Sequence, residues 1–170
     1  MSEAVLRGKA HVLGDSIPTD LIAPGRLFHL RSNLPELAKH LLEDVEPDFV
    51  RKVVPGDFLV AGRNFGLGSS REHAPTIIKL AGVAAVLAKS FARIFFRNAI
   101  NLGLPVLECD TSSIQEGDQL EVDLGAGAVR NLTRGSTVTF PPLPAVMRRI
   151  LADGGLAAHV KKHGGFAFED

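Results

Sequence analysis

Short apolar runs punctuated by glycine and proline set the predicted architecture. "GDFLVAG" and "VAAVLAKS" have the pattern of buried strands. After each comes a run with helical spacing, "APTIIKLAG" and "FARIFFRNAINLG". Pro75 falls in the first turn of one, Gly82 lies just past its end, and Gly103 closes the other. "LPVLEC" supplies a further strand. Upstream, a strand is predicted around Ala10–Leu13, ending in the turn-rich "GDSIPTD". "PELAKHLLEDV" places Leu37, Leu41 and Leu42 at helical spacing, with Pro35 in the first turn and Pro47 as the stop. The alternation of strands and helices implies parallel strands joined by crossover helices. After Asp110, "DQLEVDLGAGAVRNLTRGSTVTF" alternates apolar and polar positions between glycines, which predicts two or three antiparallel strands. From Pro144 the tail reads as helical through Met147–Ile150 and again near His159. The prediction is one α/β domain over residues 1–170 with a β-rich appendage.

Composition changes that picture little. Of the 170 residues, 45% are hydrophobic and 22% charged, which is ordinary globular usage. Lys+Arg and Asp+Glu are each 19, and the zero net charge argues against a nucleic-acid groove or an anionic membrane surface. Cys109 is the single cysteine, so no intrachain disulfide forms and no iron–sulfur cluster has enough thiolates here. "MSEAVLRGKA" lacks the apolar core of a secretory signal, and "AGVAAVLA", followed by Lys89, is too short to span a bilayer. The expectation is a soluble cytoplasmic protein with no nucleic-acid or membrane partner.

The chemistry concentrates in "GRNFGLGSSREHAP", Gly62 to Pro75, between a strand end and a helix start. That is where ligands sit in open α/β sheets. A helix N-terminus with Arg71 beside it suits a carboxylate or phosphate. A Walker A loop would need lysine directly after the last glycine, where Gly68 is followed by Ser69, Ser70 and Arg71, a dinucleotide fingerprint would need a third glycine where Arg71 stands, and the esterase motif is absent. From the residues alone two readings stand side by side. Ser69 or Ser70 is a helix cap with Glu72 or His73 in the first turn, or the loop binds an anion.

Taken together, "GSSREHAP", "AKSFARIFFRN", "DSIPTDLIAPGRL" and "NLGLPVLECD" resemble the swivelling domain of the aconitase superfamily. The likeness is greatest to the separately encoded small subunits of 3-isopropylmalate dehydratase and homoaconitase, and it runs to about Asp153. The resemblance implies a single swivelling domain with a mixed, barrel-like β-sheet and crossover helices. It implies a partner, the large dehydratase subunit, holding a [4Fe–4S] cluster, with no metal on this chain. It implies reversible dehydration of a small hydroxy-di- or tricarboxylate, placing the chain in leucine biosynthesis when isopropylmalate is the substrate. Under it Ser69 is the base, Arg71 and Ser70 hold a substrate carboxylate, and Asn64 shapes the loop. "HLRS" is the loop facing the variable end of the substrate, with His29, Arg31 and Ser32 as binding residues. Thr19, Asp20 and His73 take orienting roles.

Within the resemblance, Arg31 favours homoaconitase or another carboxylate-rich substrate as the alternative to isopropylmalate, unless Arg31 is a solvated loop arginine. His29 and Leu67 depart from residues frequent in the resembling proteins, tyrosine and cysteine respectively. A reading from a different class is a non-catalytic anion-binding module. A homo-oligomer of the isolated chain is compatible with either.

Overall fold

The computed structural model describes residues 5–68 and 73–165. Among the described residues, seven strands form one sheet: β1 (Val5–Val12), β2 (Phe58–Val60), β3 (Ala85–Ala88), β4 (Val106–Glu108), β5 (Gln119–Asp123), β6 (Ala128–Asn131) and β7 (Ser136–Thr139). The described residues also form seven α-helices: α1 (Thr19–Ile22), α2 (Leu34–Ala38), α3 (Phe49–Lys52), α4 (His73–Leu80), α5 (Arg93–Asn101), α6 (Ala145–Ala152) and α7 (Leu156–His163). A 3₁₀ helix covers Gly25–Ser32. The strand order is β4-β3-β2-β1-β5-β6-β7. β1, β2, β3 and β4 run parallel, and β1 pairs antiparallel with β5 on its other edge.

The predicted crossover helices α4 and α5 and the strands β2, β3 and β4 are all present. The antiparallel strands are not an appendage: they continue the same sheet through β1. β1 begins earlier than predicted, because its first half carries Arg7 and Lys9 and pairs with β5 without an apolar run to mark it. The helix predicted across 35–46 stops at Ala38. Leu42 takes a left-handed φ of 55°, and its N–H leaves the helical pattern to donate to Ile22 O at 3.0 Å.

Helices and sheet bury two apolar layers. Leu59, Val86 and Ala88 face one layer with Ile22, Leu37, Ile77, Ile78 and Phe95. Phe58, Val60 and Leu87 face the other, where they join Leu120, Val122 and Val129 of the antiparallel half. One cluster shared by both halves means that the sheet curls over itself into a half-barrel. Burial on both faces is why β2 and β3 read as continuous apolar runs. No helix among the described residues is long and apolar enough to cross a membrane.

At the N-terminal end of β2 the buried Asp57 ties the sheet together. Its carboxylate accepts the N–H of Lys9 and of Val54, each at 3.0 Å, and lies 2.8 Å from His11 Nε2. Burial pushes the carboxyl up, but the bonds from His11, Val54 and Lys9 outweigh it and hold Asp57 below the usual carboxylate range. A depressed folded value gives stability that is present above the unfolded value, about 3.9, and is lost as pH falls. Asp57→Asn cannot accept all three bonds and is expected to cost about 1–3 kcal/mol at neutral pH. The gap to the unsubstituted chain should narrow below about pH 4, which urea unfolding at neutral and acid pH checks.

Candidate active site

The polar loop leaves β2 and is held from both sides by main-chain hydrogen bonds. On one side lies the segment after β1: Ser16 N–H donates to Arg63 O at 2.7 Å, Gly66 N–H to Ile17 O at 2.8 Å, and Thr19 N–H to Leu67 O at 2.9 Å. On the other lies the segment after β3: Phe65 N–H donates to Ser90 O and Ala92 N–H to Phe65 O, each at 3.0 Å. Asp15 Oδ1 accepts the Arg63 N–H at 2.7 Å, and Ser90 Oγ accepts that of Asn64 at 2.7 Å. The loop is thus fixed at the C-terminal ends of the parallel strands, where such sheets bind ligands.

Two positions make this path possible. Gly66 has φ +84°, and a Cβ there would lie 2.3 Å from the Phe95 ring. Gly68 has φ +109°, and a Cβ would meet Thr19 Oγ1 at 3.3 Å. Beneath the loop Phe65, Phe91 and Phe95 pack as an aromatic cluster, Phe65 edge-on to Phe95 at 5.2 Å. Asn64 also adopts positive φ, at 56°, a conformation that asparagine tolerates better than most residues.

Ser69, Ser70, Arg71 and Glu72 lie outside the described residues. The chain enters that stretch at Gly68 and leaves it at His73, the first residue of α4. The other candidates surround these two points. Thr19 is buried against Gly68, and Asp20 is exposed in the first turn of α1. His29, Arg31 and Ser32 are exposed on the 3₁₀ helix. No hydrogen bond within the described residues joins His29 or Ser32 to the other candidates.

Phe28, which sequence reasoning passed over, links the two arms. The Arg31 guanidinium lies 4.2 Å over the Phe28 ring, and Nη1 donates to Phe28 O at 3.2 Å. The same ring meets His73 edge-on, centroids 6.3 Å apart. Phe28 is 43% exposed, and nothing in the sequence marks its place between the two. No carboxylate among the described residues pairs with Arg31, so its charge faces an aromatic surface and solvent.

Beside the loop a polar cleft of about 600 Å³ is lined by Arg63, Lys89, Asp110 and Ser112. A larger, mostly apolar groove of about 750 Å³ lies between α5 and α6, with Arg93, Arg97, Asn101 and Glu108 among its lining residues. Cys109 borders the cleft but is 9% exposed. Burial, with a smaller push from Asp110, raises its thiol to about 11, so it stays protonated at neutral pH. One buried, protonated thiol does not fit the thiolate set of an iron–sulfur cluster.

Comparison with known proteins places the chain in a class. Residues 37–112, which include the loop, match the aconitase C-terminal domain. Among individual proteins, the chain is 64% identical to the 3-isopropylmalate dehydratase small subunit 2 of Archaeoglobus fulgidus, over 92% of this chain and 95% of that one. It is 57% identical to the small subunit 1 of Thermotoga maritima, over 95% and 98%. The crystal structure of 3-isopropylmalate dehydratase from Methanocaldococcus jannaschii is similar with a TM-score of 0.90 at 42% identity, over 95% of this chain and 96% of that one. The chain belongs to the family of 3-isopropylmalate dehydratase small subunits, which are subunits of a hydro-lyase.

The geometry of the loop is testable apart from chemistry. Gly66→Ala should destabilise the fold by about 1–3 kcal/mol, since it adds both backbone strain and a clash with Phe95. Phe95→Leu should not rescue Gly66→Ala in thermal unfolding, because leucine keeps the Cβ and Cγ that the added methyl would meet at 2.6 and 2.3 Å.

Proposed function

We propose that this chain, as one swivelling domain, joins an iron–sulfur large subunit to interconvert 2- and 3-isopropylmalate, and that the Ser69–Arg71 stretch is its catalytic contribution. The observation that carries the reading is convergence. The buried Thr19 beside Gly68, and the Arg31 arm joined through Phe28 to His73, flank the two ends of that stretch. The near full-length identity to dehydratase small subunits supports the reaction class.

The reaction takes a proton from a carbon next to a carboxylate, expels the hydroxyl from the neighbouring carbon to leave a double bond, and returns water with the positions exchanged. This chain's share is the proton and the carboxylates. Ser69 takes the proton at its oxygen. A serine oxygen is a weak base unless its anion is stabilised, and the positive end of α4 together with Arg71 provides that stabilisation. Arg71 and Ser70 hold the carboxylate that every substrate shares, while Arg31, His29 and Ser32 face the part that differs. Thr19, Asp20 and His73 orient the stretch from its two ends, and Asn64 shapes its approach. The thiolates for a [4Fe–4S] cluster come from the large subunit, because Cys109 does not suit one.

Arg31 supports a second reading on substrate. A guanidinium with no carboxylate partner among the described residues is suited to a further substrate carboxylate, as in homocitrate-like acids. A non-catalytic anion-binding module would bind such acids without turnover in the reconstituted complex.

In the complex with the large subunit, Ser69→Ala is expected to lower kcat by roughly 10²–10⁴-fold while assembly persists. A Ser70→Ala variant that is crippled while Ser69→Ala is mild would move the base to Ser70.

Arg31→Val should reduce kcat/KM for homocitrate by about 10–100-fold and spare or improve isopropylmalate, because an arginine facing an isopropyl group is a desolvation burden. Arg71→Lys should depress both substrates, since lysine lacks the planar fork. Equal losses on both substrates in Arg31→Val remove that arginine from the specificity role.

A further inference from the structure

The C-terminal helical hairpin carries a cluster for which the dehydration has no use. Asp153 follows α6 as its C-cap, and α7 places His159 and His163 one turn apart on one face. Asp153 Oδ2 lies 2.8 Å from His159 Nδ1 and 3.0 Å from His163 Nε2. The three potential donor atoms all lie within 4.8 Å of one another. The His159 side chain is fully buried, that of Asp153 is 8% exposed, and that of His163 is 34% exposed. The imidazole centroids stand 4.7 Å apart.

We propose that Asp153, His159 and His163 form a binding site for a divalent transition metal of the zinc class, which pins α7 to the end of α6.

The donor set selects the metal. Two imidazole nitrogens and one carboxylate oxygen suit zinc and its first-row neighbours, whereas calcium and magnesium favour oxygen ligands throughout. Histidines four residues apart on a helix present their rings to a common point, as in helical zinc motifs. Metal–ligand bonds of about 2.0–2.1 Å in a tetrahedron separate the donor atoms by roughly 3.3 Å. The two spacings to Asp153, 2.8 and 3.0 Å, need to open by only a few tenths of an ångström. Both nitrogens approach the same carboxylate oxygen, so the three donors already converge rather than being spread over the two oxygens. His163 leaves one side open to solvent, giving the ion a way in and water a fourth position.

The other carboxylate oxygen holds a competitor. Lys162 Nζ lies 3.1 Å from Asp153 Oδ1 and offsets the charge that a cation would use. The turn that carries the site is itself anchored. Lys79 Nζ donates to Leu102 O at 3.0 Å and Gly154 O at 3.4 Å. A Cβ on Gly155 would lie 2.8 Å from Asn101 O, so the turn sits directly on the end of α5. A metal on α7 would therefore fasten the last helix to a turn that α4 and α5 already hold.

The test is calorimetric titration of the untagged, chelator-stripped full chain with zinc chloride, with visible absorption of the cobalt(II) form as a coordination signature. One equivalent should bind, raise the unfolding temperature and give the intense spectrum of a tetrahedral site. His163→Ala, at the partly exposed position, should keep the fold by circular dichroism and weaken zinc binding by at least about 100-fold, since it removes a ligand outright. Lys162→Gln keeps every ligand, removes the competing cation, and should tighten binding by about 2–5-fold. The absence of zinc binding, binding unchanged by His163→Ala, or binding that Lys162→Gln fails to tighten overturns the proposal. The His163→Ala arm also separates this site from Cys109, which that variant leaves intact.

Discussion

The two edges of β1 hold the molecule together. One edge is parallel to β2 and the other antiparallel to β5, so a single strand joins a crossover-wound half to a hairpin-built half. Where the pairing changes there is no room to spare: a Cβ on Gly8 would lie 2.2 Å from Gly56 O and 2.9 Å from Asp57 Cα. Asp57 then reaches back to the Lys9 N–H and to His11. Because β1 is saturated on both edges, the chain leaving its C-terminal end is aimed along the loop that leaves β2. That is how Ser16, Gly66 and Thr19 come to exchange main-chain bonds across segments far apart in sequence.

The site inherits its rigidity from this arrangement. The approach to Ser69 is bonded to the segments after β1 and β3 and rests on Phe65, Phe91 and Phe95. The arm with Arg31 is held differently, through one aromatic ring that touches a guanidinium on one face and a histidine at its edge. Main-chain hydrogen bonds fix the loop at several points, while a single ring contact of this kind permits adjustment. In the proposed function the two modes suit a firmly placed reacting end and a more adaptable selecting end.

Much of the parallel half was legible because its elements are punctuated. Pro75 and Gly82 bracket α4, and Gly103 ends α5 with φ +84°, as the run of residues implied. What escaped has a common cause. α1 is four residues long, too short for a period to register. The spacing of Leu37, Leu41 and Leu42 is helical on paper, but the Leu42 N–H finds Ile22 O, a tertiary partner that no local pattern encodes. The β1–β5 pairing is likewise nonlocal, which is why the antiparallel strands read as an appendage. At the site, the composition of the loop marked it as a place for either capping or anion binding, and the proposed roles come from the resemblance alone. The bridging position of Phe28 could not be read, because it depends on where α4 starts in space.

The contact between Gly66 and Phe95 also constrains the protein's history. The absent side chain at one position and the ring at the other fill the same space, on opposite sides of β3 in the sequence. Neither residue is free to drift alone. A lineage that enlarged the loop residue would first have to move or remove the whole Phe95 side chain, whose Cβ and Cγ both stand in the way, and a lineage that lost the ring first would leave a void beneath the loop. The two positions should therefore be inherited as one character.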